Sequence, residues 1–187
     1  MANGQACHGM VLILGHSFVS RLEHFMAARV VKLNGHHVTF CGVRGATVDD
    51  IRKKLQTLDL ASFCTICVVV GTNDLCSNSA DIVISHIWSL VARLRSNGAP
   101  QVILGQVLFR TRRWVRGPSV QEFLRRVRRV NVKIEAWMEE RSDVFFWRHQ
   151  HLHSARHMGE DGVHFSDRFQ SKYWRSVRGV PCSVVSL

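Results

Sequence analysis

Short apolar runs alternate along the chain with longer stretches in which apolar residues return every three or four positions. The first run is Met10-Val11-Leu12-Ile13-Leu14 and ends at Gly15-His16-Ser17. Phe18, Leu22, Phe25, Met26, Arg29 and Val30 then recur at helical spacing to about residue 31. After the turn signal Asn34-Gly35, residues 37–43 read as a second strand, followed by Arg44-Gly45-Ala46. Thr47, with Asp50 three positions on, opens a helix to Leu58. Residues 64–70, Cys-Thr-Ile-Cys-Val-Val-Val, form the continuous run expected of a strand buried on both faces, and end at Gly71-Thr72-Asn73-Asp74. A helix beginning at Asn78 or Ser79 stops at Asn97-Gly98-Ala99-Pro100. Residues 101–108 are a fourth strand, and a basic loop carrying Trp114 follows. Ser119-Val120-Gln121-Glu122 is a capping box heading a long helix through Met138. Residues 144–147 are a fifth strand. A histidine-rich loop leads to Asp161-Gly162-Val163-His164, and a last helix spans about 166–178, with Gly179 and Pro181 as its stop.

Five strand–helix alternations predict an α/β fold: a five-stranded parallel sheet with helices on both faces and right-handed crossovers. A chain of 187 residues suits one domain with a proper core. We place that domain at 10–180, with tails at 1–9 and 181–187. Ligands of such sheets bind beyond the carboxyl ends of the strands. Ser17, Gly45, Asn73 and the loop bearing Asp161 and His164 all follow strands, so the fold would gather them at one end.

These residue types carry the parts of acyl transfer. Ser17 sits where a helix begins, among N–H groups that stabilise developing negative charge. Serine is also a favoured helix cap, so alone it reads either way. His164 can serve as general base, and Asp161, three residues earlier, can hold the imidazole in the required tautomer. The N–H groups of Ser17 and Gly45 and the amide of Asn73 can form an oxyanion hole.

Gly15-His16-Ser17, Gly45, Gly71-Thr72-Asn73-Asp74 and Asp161-Gly162-Val163-His164 resemble, in order and spacing, the four sequence blocks of the SGNH hydrolases, the GDSL-type esterases and lipases. The resemblance spans about residues 10–178. It implies a flavodoxin-like three-layer α/β/α sandwich, a Ser17–His164–Asp161 triad, and Gly45 and Asn73 as oxyanion donors beside Ser17. It further implies a cofactor-independent esterase acting on small acyl groups, such as acetyl, borne by a lipid, carbohydrate or other alcohol. The stretches around ILGHSFVSRL and DGVHFSDR look most like esterase-type domains of animal retroelement-associated proteins. The chain departs from the family at His16, where an aspartate is usual. The α/β-hydrolase elbow G-x-S-x-G is not met, because position 19 is Val19.

Charge adds a second theme. Lys and Arg number 25 against 14 Asp and Glu, a net charge of +11. Arg110, Arg112, Arg113, Arg116, Arg125, Arg126, Arg128, Arg129 and Lys133 concentrate much of it, opposed there only by Glu122. Such a patch attracts nucleic acid, anionic membrane or acidic substrates, or is a solvated helix face with a basic loop. A non-catalytic binding module using this patch is thus the rival to the esterase.

The six cysteines are expected to be mostly reduced thiols. Cys64 and Cys67 form a CxxC, but residues three apart on a strand point to opposite faces, which argues for core packing over metal binding. His149, His151, His153 and His157 could bind zinc or belong to a solvated loop; no metal is assigned. With neither a signal peptide nor a membrane-length apolar run, the expected location is intracellular.

Overall fold

Strand β1 (Met10–Gly15) lies between two parallel partners, β3 (His36–Gly42) and β4 (Phe63–Val69). Beyond β4 come β5 (Val102–Gly105) and β6 (Val144–Trp147), also parallel. At the far edge the two-residue β2 (Lys32–Leu33) pairs antiparallel with β3, giving the order β2-β3-β1-β4-β5-β6. The computed structural model describes residues 10–33, 35–99, 101–112, 117–139, 141, 144–149, 152 and 155–179. The two expected tails, Asn34, Pro100, Arg113, Trp114, Arg116, His151 and His153 lie outside these residues.

The sheet has six strands, not the five expected. The reason is an early end to α1 (Ser17–Met26). Arg29 and Val30 continue the helical spacing but are exposed, while Val31 and Leu33 return to the core and bring Lys32–Leu33 alongside β3. The helix expected over 47–58 is likewise shorter. Thr47 caps α2 (Val48–Lys54) in a full capping box with Asp50, and a 3-10 turn at Leu55–Thr57 follows.

The helices divide between the two faces. α2, α3 (Ala80–Ser96) and α4 (Val120–Glu139) pack on the side reached by Leu12, Leu14, Ile66 and Val68. α1 and α5 (Asp167–Arg178) cover the side reached by Val11, Ile13, Cys67 and Val69. Alternation along each strand thus feeds two cores, which makes the three-layer sandwich. Phe18, Val19, Leu22 and Met26 form the buried stripe of α1. Each such side chain stabilises by about 1.5–3 kcal/mol relative to exposure, so the start of α1 is firmly seated.

Cys64 and Cys67 belong to the same core layer, contrary to the spacing argument. The pairing of β1 with β4 slips by one residue, Met10 opposite Phe63 but Val11 opposite Thr65. That irregularity resets the alternation between the two cysteines. Both are buried core residues.

β1 and β4 lie side by side, yet β1 leads to α1 on one face and β4 to α3 on the other. Their carboxyl ends therefore open a crevice, as expected where the winding of a sheet reverses. No helix among the described residues is long and apolar enough to cross a membrane.

Candidate active site

Ser17 opens α1 directly beyond β1. Gly15 makes this tight exit feasible, since a Cβ there would lie 2.3 Å from the Val69 carbonyl oxygen. The helix is capped not by the serine but by His16, whose Nδ1 accepts from the Phe18 N–H at 3.5 Å. His16 is buried, and burial, followed by the charges of Arg110 and His164, holds its pKa down at about 3. It is therefore a neutral acceptor, able to cap a helix without carrying a charge in the core. This frees the hydroxyl of Ser17, and the N–H of Ser17 has no carbonyl four residues back to bond within the helix.

The hydroxyl instead meets His164, with Nε2 2.8 Å from Ser17 Oγ. The other ring nitrogen, Nδ1, is 2.7 Å from Asp161 Oδ2. Asp161 Oδ1 accepts the N–H groups of Val163 and His164, each at 2.9 Å, so the four-residue turn fixes its own carboxylate. Burial alone would raise the Asp161 pKa, but the hydrogen bonds from His164 and Val163 outweigh it and hold it at about 2. Arg21, one turn along α1 from Ser17, adds a 3.3 Å contact to Oδ2. Phe18 supports the imidazole from beneath, its ring centroid 5.7 Å from that of His164 and 5.0 Å from that of Phe165.

Gly162 is required within this turn. Its φ is +61°, and an added Cβ would stand 2.8 Å from Arg112 Cβ and 2.9 Å from Thr111 Oγ1. Its carbonyl is clamped by the N–H groups of Thr111 and Arg112 at 2.8 and 3.2 Å. Gly162→Ala is expected to destabilise by roughly 2–4 kcal/mol and to displace Asp161 and His164. Thermal denaturation alongside the rate of ester hydrolysis would show both losses.

Gly45 and Asn73 line the same cleft as Ser17 and His164. Buried Asp74 holds them near one another: its carboxylate accepts the Val48 N–H at 3.1 and 3.2 Å, tying the end of β4 to the start of α2. Burial raises the Asp74 pKa, and that hydrogen bond opposes the rise. The amide of Asn73 has one possible orientation. Its Nδ2 donates to the Ala46 carbonyl at 2.8 Å, and its Oδ1 accepts from Arg110. A guanidinium only donates and a carbonyl only accepts, so the amide cannot be flipped.

Arg110 is therefore not part of a surface patch, as its place among basic residues suggested. It is 4% exposed, lines the cleft, and donates to Cys76 Sγ at 3.1 Å as well as to Asn73. The rest of the basic cluster is divided. Arg125 and Arg126 engage Glu122 at 2.7 and 2.9 Å, and Arg126 also bonds the Asn78 carbonyl. Arg129 forks onto Asp81 of α3. Arg128 lines a different groove with Arg148, which pairs with Glu135. Arg112 is exposed beside the Gly162 turn. Opposition to this charge is thus not confined to Glu122, because folding adds Asp81 at Arg129.

His149 and His157 are buried rather than solvated. His149 Nδ1 is 3.0 Å from Ser176 Oγ, and burial lowers its pKa to about 4. The His157 ring packs on Phe169. Among the described residues no three His, Cys, Asp or Glu side chains are grouped to hold a metal ion.

Sequence reasoning missed the positions of Arg21, Asp74 and Arg110 in the site. Arg21 left a signal, lying four residues beyond Ser17 on the same helix face, and so did Asp74, the last residue of the Gly71-Thr72-Asn73-Asp74 block; Arg110 left none.

No family model matches the chain, and no curated protein sequence does. Solved structures do. A GDSL-like lipase from Bacteroides thetaiotaomicron superposes with a TM-score of 0.75 at 16% identity, over 99% of this chain and 91% of that one. A carbohydrate esterase family 3 protein from Talaromyces cellulolyticus gives 0.69 at 13% identity, over 95% and 98%. An acetyl esterase mutant with an acetate ion gives 0.69 at 14%, over 95% and 98%. At these identities the likeness is one of fold: the chain shares its α/β architecture with esterases and lipases.

Proposed function

We propose that the protein is a serine carboxylic-ester hydrolase of the SGNH type, acting on small acyl groups of the acetyl kind. The observation that carries this reading is the unbroken chain Ser17 Oγ–His164–Asp161, with links of 2.8 and 2.7 Å, at the mouth of a cleft. Its fold neighbours named as lipase, carbohydrate esterase and acetyl esterase support the same class. The narrower likeness to esterase-type domains of retroelement-associated proteins rests on the sequence around Ser17 and His164 alone.

Ser17 Oγ attacks the acyl carbon as its proton passes to His164 Nε2. The carbonyl oxygen becomes an oxyanion facing the N–H groups of Ser17 and Gly45 and the second N–H of Asn73 Nδ2. One such donor contributes about 3–4 kcal/mol to the transition state. His164 then protonates the departing alcohol and deprotonates the water that releases the acyl group from Ser17. The Asp161 carboxylate stabilises the imidazolium in both halves. Reaction of Ser17 with a fluorophosphonate, together with hydrolysis of a short-chain aryl ester, tests the proposal. Failure of both would sink it.

The pH dependence follows from His164. Burial lowers its pKa, the nearby Arg21 and Arg110 charges lower it further, and the bond to Asp161 partly restores it. The neutral imidazole is the working base, so activity falls as pH drops through a value below the ordinary 6.5 of histidine. A kcat/KM profile is expected to be flat across neutral pH with its acid limb below that value. An acid limb above 6.5 would contradict this electrostatic reading.

The rival reading, a module that binds nucleic acid or anionic membrane, has less behind it, since Arg125, Arg126 and Arg129 are engaged by Glu122 and Asp81.

A further inference from the structure

The cleft at Ser17 is larger than a small acyl group requires. Its volume is about 750 Å³, and its lining extends along one face of α1 through Ser20, Arg21, His24 and Phe25. At 1.5 Å per residue, Phe25 lies about 12 Å along the helix from Ser17. With a small acyl group, as proposed above, this length of trough is left to the alcohol side of the ester.

The trough is also strongly polarised. Arg21, Arg44 and Arg110 line it, and Asp167 is the carboxylate among its described lining residues. Each arginine has a different place. Arg110 is fixed in the wall by Asn73 and Cys76. Arg21 reaches Asp161 yet keeps 44% of its side chain exposed. Arg44 is exposed at the end of β3, next to Gly45. Three guanidinium groups line one concave surface against Asp167 there and Asp161 at Arg21, and the positive excess favours a bound anion. Guanidinium also matches the planar or forked geometry of carboxylate and phosphate oxygens. Phe25 and Val163 supply apolar surface for whatever joins such an anion to the ester.

We infer that the preferred substrates are acyl esters of anionic alcohols, whose phosphate or carboxylate group is held by Arg44 and Arg21 within about 12 Å of the scissile bond. This rests on the ester-hydrolase reading above and specifies its leaving group.

The test uses aryl acetyl esters of different charge, each rate taken relative to that ester's uncatalysed hydrolysis: 4-acetoxybenzoate, 4-acetoxyphenyl phosphate, the neutral methyl 4-acetoxybenzoate, and a 4-acetoxyphenyl trimethylammonium salt. For the wild-type protein at low salt, at least one anionic ester is expected to exceed the neutral one in kcat/KM by about tenfold or more, mainly through KM, with the cationic ester slowest. The two anionic arms separate carboxylate from phosphate preference. Arg44→Glu should remove the preference, read as the ratio of anionic to neutral kcat/KM, while Arg44→Ala falls between. The preference should also shrink as salt is raised. Equal rates for all charges in the wild type, or a preference unchanged in Arg44→Glu, overturn the inference and leave the esterase reading standing. A wild-type protein that hydrolyses none of the four and leaves Ser17 unlabelled by a fluorophosphonate overturns both.

Discussion

Ser17→Ala is expected to eliminate ester hydrolysis, by on the order of 10⁴-fold or more, without measurable loss of stability. The first half follows from the hydrogen bond between Ser17 Oγ and His164, which leaves no other hydroxyl in that position to attack. The second half follows from the helix cap. Had Ser17 been the cap of α1, its loss would cost about 1 kcal/mol. His16 has that role, and alanine is well tolerated in the first turn of a helix, so stability should stay within about 0.5 kcal/mol. The two measurements together separate a nucleophile from a cap, the two readings that sequence left open. His164→Ala placed on top of Ser17→Ala should cost almost nothing more, because residues acting as one unit are strongly non-additive. A Ser17→Ala protein hydrolysing at the wild-type rate would show that the chemistry lies elsewhere.

Arg110→Met is expected to have the next largest effect, lowering kcat for a neutral ester by roughly 10–100-fold at little change in its KM, with stability unchanged or slightly increased. Losing one oxyanion donor costs about 10²–10³-fold, and Arg110 acts on that donor indirectly by holding the Oδ1 side of the Asn73 amide. Its effect therefore lies below that ceiling. A buried guanidinium is expensive to desolvate, and methionine of similar length can refill its space, so the fold should not suffer. A double-mutant cycle isolates the connection. If Arg110 works through Asn73, Arg110→Met should have almost no effect on kcat in an Asn73→Ala background. Full additivity would assign Arg110 a separate role.

The alternation of strands and helices was legible in the sequence because each element has strong local patterning. Residues 64–70, found as the strand Phe63–Val69, show it best, as a run with no polar face has few places to go except the middle of a parallel sheet. The convergence of Ser17, Gly45, Asn73, Asp161 and His164 was legible as well, since strand polarity alone sends their loops to one end. What stayed hidden depended on contacts between distant elements. Arg110 and Arg112 look alike in a basic stretch, yet one is buried against Asn73 and the other is exposed. The arginines of α4 look like one patch until Asp81 arrives from α3. β2 was missed because two residues carry no periodicity, and the side of the sheet faced by Cys64 was missed because a single register slip reverses every alternation on its far side.

The hydrogen bond between Ser17 and His164 joins residues 147 positions apart, and the one between Arg21 and Asp161 spans 140. A chain organised from β1 through β5 already has most of its sheet, but its serine has no base. Contacts of such long sequence separation carry the greatest loop-closure cost and tend to form late. Turnover is therefore expected to report on a late event of folding. During refolding from denaturant, hydrolysis should return with the docking of the segment bearing Asp161 and α5, after helical circular dichroism has recovered, so the protein becomes chemically competent only as its C-terminal segment closes onto the sheet.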